Sequence, residues 1–300
     1  ENLILDLRGN PGGYLLPAKQ IADDFLEANK SIVIVEGNNG KRERTVSSPN
    51  GLFESGRLYI LVDEDSASAS EVIAGAVQDN DRGLIMGRRT FGKGLVQQQM
   101  PLGQGDQIRL TTARYYTPTG RSIQRPYNSS TRSEYYAQAT DRYKKSEVGN
   151  TGKEQISDSL IFTTPKGKTV YGGGGITPDI YVSNEDNPDA AWNRYLVTSN
   201  LIDLFVFMEL DKNYKKYNFN NAPKFFNEEL PFEDDFIQSF KSFVKNYKLQ
   251  IEVNSINKKA ILNSIKAFIA LQLFNENMYI RIINQSDPFI LKALKEIESP

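Results

Sequence analysis

Two segments have residue types and spacing able to support covalent chemistry: Ser66-Ala-Ser68-Ala-Ser70-Glu71 and Thr90-Phe-Gly-Lys93-Gly-Leu-Val-Gln97. The chain contains no histidine and no cysteine, which removes the Ser-His-Asp triad, the Cys-His pair and the usual zinc ligand sets. A serine nucleophile activated by a lysine base is the main covalent option left. Free lysine titrates near 10.4, so only about one amine in 10³ to 10⁴ is neutral at pH 7, and burial must lower that value before lysine can act as a base. Glycines on both sides of Lys93 let the backbone pass close to other groups while the lysine enters a crowded, partly dry site. Gln97 can hold a neutral amine by hydrogen bonding without recharging it, as a carboxylate would. Four residues of flat strand span about 13 Å, so a direct Lys93–Gln97 contact requires a curl or bulge at Gly94.

The elements that must position these residues follow from pattern. Leu58–Val62 reads as an apolar strand and the segment from about Ala67 to Gln78 as a helix, which places Ser68 at a strand-to-helix junction. A nucleophile there is exposed on a tight turn, beside the free N–H groups and positive dipole end of the helix. The bland reading is a capping box, Ser68 at the N-cap with Glu71 three residues on, and local chemistry does not distinguish Ser66, Ser68 and Ser70. The segment Gly87 to Gly94 approaches the phosphate-binding Gly-x4-Gly-Lys-[Ser/Thr] pattern. Gly94 stands where the Mg²⁺-binding hydroxyl belongs, and no long helix follows, so nucleotide binding is disfavoured. Ser242-Phe-Val-Lys245 and Ser255-Ile-Asn-Lys258 repeat a Ser-x-x-Lys spacing but lack the companion motifs.

In the first half, strands at Leu3–Leu7, Ser31–Val35, Arg42–Val46, Leu84–Gly87 and Gln107–Tyr116 alternate with helices, an α/β pattern. A polar stretch from about 129 to 158 reads as a long loop or insertion. After Ser183-Asn-Glu-Asp-Asn-Pro188 the composition shifts to Lys, Asn, Phe, Ile and Leu at helical spacing. This places a boundary between a first domain, 1–183, and a mainly α-helical domain, 184–300. Aromatic faces in the second domain are expected to pack against neighbouring helices or the first domain, with a partner or homo-oligomer surface as the alternative. Lys plus Arg number 36 against 37 Asp plus Glu, which gives no electrostatic reason to expect nucleic acid or an anionic membrane. No apolar run approaches the roughly 18 residues of a membrane span. The chain opens on a strand-like run without an initiator Met, as a piece of a longer protein would.

Five segments taken in order, Leu5-Asp-Leu-Arg-Gly-Asn-Pro-Gly-Gly13, Asp65–Glu71, Thr90–Gln97, Thr112-Ala-Arg-Tyr-Tyr-Thr-Pro118 and Gly173-Gly-Gly-Ile-Thr-Pro-Asp179, resemble the C-terminal processing (tail-specific) serine protease family. The resemblance covers about residues 1–183. It implies a core like those of crotonase and Clp protease, built of repeated strand-strand-helix units, with Ser68 as nucleophile, Lys93 as general base and Gln97 orienting the lysine. The oxyanion hole would use the backbone N–H groups of Ala69 and Gly13, with Gly12 as the fallback. It implies an endopeptidase that needs no cofactor or metal and binds protein substrates by their C-terminal regions. It also implies a PDZ-like domain upstream of Glu1 and an extracytoplasmic setting, periplasm or cell envelope. Two other readings are a catalytically inactive peptide-binding module on the same fold and a crotonase-like acyl-CoA enzyme; the Lys93 motif disfavours the latter.

Overall fold

The computed structural model describes residues 1–126, 131, 133–134, 158–183, 199–213, 216–217, 219, 222–228, 230–249 and 255–298. Most of the polar 129–158 stretch, and residues 184–198 after the composition shift, lie outside them. The chain forms two compact units, Glu1–Ser183 with Lys295–Pro300, and Asn184–Leu294.

The first unit is mixed α/β. Strands β1 (Asn2–Asp6), β4 (Arg57–Val62), β5 (Leu84–Gly87) and β10 (Ile180–Tyr181) form a parallel sheet in the order β1-β4-β5-β10. Strand β4 carries Leu58 to Val62 in an unbroken apolar run, all buried, as a central parallel strand covered on both faces requires. The second sheet is antiparallel, in the order β3-β2-β7-β6, from β2 (Ser31–Gly37), β3 (Arg42–Val46), β6 (Leu95–Gly103) and β7 (Asp106–Tyr116). Strand β6 replaces the helix that a phosphate-binding loop would need. It lies at the sheet edge, where Pro101 is tolerated. A short hairpin, β8 (Ile161–Thr163) and β9 (Thr169–Tyr171), completes the strands.

Helix α1 (Leu15–Asp23) buries Ala18 and Ala22, and helix α2 (Ala69–Asp79) is buried along its whole length. Their apolar residues join Ile60, Val62, Ile85, Tyr115 and Ile123 in one core. A buried helix cannot leave its polar side chains unpaired. The C-terminal end of α2 meets this demand with Asp79, which bonds Arg121 (2.6 Å, both side chains fully buried) and caps Thr119 through N–H and hydroxyl bonds of 3.0 and 2.7 Å. Gln78 donates to Asp179 Oδ1 (2.9 Å), whose other oxygen accepts the Ile85 N–H (2.8 Å). Thr119 and Arg121, just after the Thr112–Pro118 segment, and Asp179 of the Gly173–Asp179 segment thus brace α2, the helix that Ser68 precedes.

The second unit contains helices α3 (Leu201–Asn213), α4 (Ala222–Asn227), α5 (Glu233–Lys245), α6 (Ser255–Leu273) and α7 (Glu276–Asn284); α8 (Pro288–Glu298) follows. Its core is aromatic: Phe205 meets Phe240 edge-on at 5.1 Å, with Phe236 and Phe243 buried beside them. Ser242 and Lys258 are engaged locally, with the Gln238 carbonyl and Asp234 respectively. Among the described residues no helix is long and apolar enough to cross a membrane.

Candidate active site

Three loops meet over the first turn of α2. The loop after β1 is fastened to the serine segment: Ser66 Oγ donates to the Leu7 carbonyl (2.8 Å), while Ala67 N–H (3.0 Å) and Ser70 Oγ (3.1 Å) both donate to the Asn10 carbonyl. These bonds separate the three serines. Ser66 and Ser70 are buried and spent on structure, whereas Ser68 is half-buried and lines a cleft of about 790 Å³.

Ser68 has φ 57° and ψ −113°, a left-handed backbone that a non-glycine residue adopts only when its surroundings force it. The force comes from close packing. Gly12, at φ 89°, lies so near that a Cβ there would sit 2.5 Å from the Ala67 carbonyl oxygen and 2.6 Å from the Ala69 nitrogen. Only glycine fits that approach. The strained turn sits at the cleft, which Ser68 lines, as a nucleophile on a strand-to-helix elbow needs.

Glu71 ties this turn to the lysine turn. Its carboxylate is fully buried; Oε2 accepts the N–H groups of Ser68 (2.8 Å) and Lys93 (2.9 Å), and Oε1 accepts the Thr90 hydroxyl (2.5 Å) and the Gly92 N–H (2.7 Å). Burial pushes this carboxyl up to about 7 against the pull of the four donors. The capping-box pattern therefore does more than end a helix: the Glu71 half of it joins the two motifs. Tyr115 adds a second link. Its buried hydroxyl lies 2.9 Å from the Ser68 carbonyl oxygen and 2.6 Å from that of Lys93, donating its one proton to either.

Lys93 lines the same cleft, half-buried, with Nζ donating to Gln97 Oε1 (3.1 Å). Lys93 lies outside β6, which begins at Leu95, so the segment from Lys93 to Gln97 is not flat strand throughout. Burial holds the Lys93 amine below the ordinary lysine value, the Arg109 charge lowers it further, and Glu71 opposes both. Among the described residues no hydrogen bond joins Ser68 Oγ to Lys93 Nζ. Both residues line one cleft.

Gly13 and Ala69 also line the cleft. Gly12 does too, but its N–H is committed to Asn10 Oδ1 (2.9 Å). Among the described residues the N–H groups of Gly13 and Ala69 have no acceptor, so they are the pair free to receive a developing oxyanion. The sequence did not single out Glu71 as a link, nor Thr90, Tyr115 or Arg109. The only signal for Glu71, Thr90 and Tyr115 was membership of the motif segments, and for Arg109 its place in the expected strand Gln107–Tyr116.

The model of peptidase family S41 matches residues 1–128. The chain is 44% identical over 128 residues to a carboxy-terminal-processing protease of Bartonella bacilliformis, covering 41% of this chain and 29% of the relative. It is 42% identical over 124 residues to a carboxyl-terminal-processing protease of Synechocystis sp., with 41% and 28% covered. The chain therefore spans less than a third of the length of these relatives. A solved photosystem II D1 C-terminal processing protease aligns at 28% identity and TM-score 0.42, covering 64% of this chain and 37% of that one. Residues 192–275 match a family of unknown function (DUF8443).

Proposed function

We propose that this chain carries the catalytic core of a serine endopeptidase that cleaves unfolded or precursor proteins near their C-termini through a Ser68–Lys93 dyad. The observation that carries the reading is the Glu71 carboxylate, whose one oxygen takes the N–H of both Ser68 and Lys93. That bridge has little purpose in a helix cap alone, but it fixes a nucleophile turn and a base turn on the same cleft.

Substrate entering the cleft brings its carbonyl against Ser68 and excludes water. Neutral Lys93 takes the Ser68 proton as Oγ bonds to the carbonyl carbon, and the oxyanion settles on the Gly13 and Ala69 N–H groups. The Lys93 ammonium then gives its proton to the leaving amine as the C–N bond breaks. Water, deprotonated by the same lysine, attacks the acyl-enzyme and releases the carboxylic acid, restoring Ser68. The Ser68–Lys93 hydrogen bond forms with substrate in place; such bonds are often long in unliganded sites. Gln97 keeps the amine oriented without adding a charge. Residues 1–183 are the catalytic core in this reading, with 184–300 a helical companion domain, and the working location is extracytoplasmic.

The test is cleavage of a denatured protein substrate. Ser68→Ala and Lys93→Ala are each expected to lower kcat/KM by about 10³-fold or more. Turnover retained in both variants would refute the dyad.

A further inference from the structure

The charges around the cleft are one-sided. Among the described residues, Lys93 and Arg109 are the only ionisable cations lining it, and no Asp or Glu side chain lines it. Glu71, close to Lys93, is sealed beneath the two turns and is saturated by its four donors. Catalysis needs Lys93 uncharged, so Arg109 is the permanent charge of the cleft.

Its placement follows from strand geometry. Arg109 and Thr111 share a face of β7 with their partners Gln99 and Gln97, while Tyr115, beyond the register slip, reaches the Ser68 and Lys93 turns. On β6, Gln97 stands opposite Thr111 and Gln99 opposite Arg109. Arg109 is thus two residues, about 7 Å, along the sheet from the Gln97 that holds Lys93. It is exposed, and among the described residues its side chain has no hydrogen-bond or ion-pair partner. An arginine kept without a carboxylate partner in a concave site with no acid is built to meet an anion brought by the ligand.

We propose that Arg109 is a specificity-determining residue that binds a substrate carboxylate two or three residues from the scissile bond. The proposal rests on the peptidase reading and narrows its substrate class. The carboxylate comes from an acidic side chain or from the free C-terminus of the substrate; the chemistry at the guanidinium is the same. A second consequence concerns the base. Arg109 lowers the proton affinity of Lys93, so its removal moves the acid limb of activity to higher pH. The groups that face Lys93 are Glu71, Gln97, Arg109 and Tyr115, and only Arg109 is changed by that substitution.

The experiment measures binding in the Ser68→Ala chain, which cannot turn substrate over, by fluorescence anisotropy of a labelled short peptide. One arm compares a free C-terminal carboxylate with its amide; the other compares an internal Glu with Gln at the same position. About tenfold tighter binding of the carboxylate in either arm is expected and identifies its source. Arg109→Gln should abolish that preference, and Arg109→Lys should keep part of it. No preference in either arm, no binding of any peptide, or a preference that survives Arg109→Gln would overturn the proposal. The peptidase reading is tested separately by hydrolysis in the chain with Ser68 intact: a carboxylate preference without turnover would leave Arg109 standing and remove the protease.

Discussion

The Ser68 and Lys93 turns are fixed by a buried carboxylate, a buried phenol and crossing backbone bonds, whereas the β6–β7 wall of the same cleft carries Gln97, Gln99 and Arg109 in the open. The first region holds backbone atoms in one arrangement, including a strained Ser68. The second offers side chains with room to move and few partners. Chemistry demands placement within a fraction of an ångström, while recognition of extended substrates tolerates adaptable contacts. The two regions differ because those demands differ.

Glu71→Gln should break the contrast most strongly. An amide can accept at one atom only, and its own NH₂ would confront donors now satisfied by the carboxylate. A fall in kcat/KM of about 100-fold is expected for hydrolysis of a denatured protein. Stability should respond differently. Burial raises the Glu71 carboxyl from 4.5 to about 7, so the folded chain holds that proton more tightly than the unfolded chain. The stability gained is complete below about 4.5 and is lost as pH rises through about 7, a drift of roughly 3 kcal/mol. Urea titrations at pH 4.5 and pH 8 should show this drift in the native chain and not in the variant.

Gln97→Glu tests the open wall. A carboxylate beside Nζ would raise the proton affinity of Lys93, reversing the depression that burial and Arg109 produce. Because activity rises as Lys93 loses its proton, the acid limb of the pH–rate profile should move to higher pH, with about tenfold less activity at pH 7. Gln97→Ala should lower activity without moving the limb upward. Tyr115→Phe is the mildest change: one buried donor shared by two carbonyls is lost, for about 1–2 kcal/mol of stability in a thermal melt and a few-fold of rate.

Much of this arrangement was legible before any coordinates. The strand β4, the helix α2 and Ser68 between them followed from an apolar run, a turn and helical spacing, because those are local properties. The Lys93–Gln97 contact was legible as a requirement for a departure from flat strand, and the contact is made with Lys93 placed before β6 begins at Leu95. The role of Glu71 was not legible. A capping box satisfies every local observation, and the Thr90, Gly92 and Lys93 donors reach Glu71 only through tertiary contact. The strand β6 was also missed: its Gln-Gln-Gln-Met-Pro run has weak strand preference and is held by pairing with β7. For Gly12 and Gly13 the sequence offered two adjacent candidates, and only the Asn10–Gly12 bond separates them.

The central claim is that Lys93 activates Ser68 across a cleft that Glu71 holds in shape. The most direct measurement is the rate at which a fluorophosphonate labels Ser68 across a range of pH, in the native chain and in Lys93→Ala. Labelling in the native chain should rise with pH through a midpoint below the ordinary lysine value near 10.4, and Lys93→Ala should lose both the rate and the midpoint. Equal labelling of the two chains at every pH would contradict it.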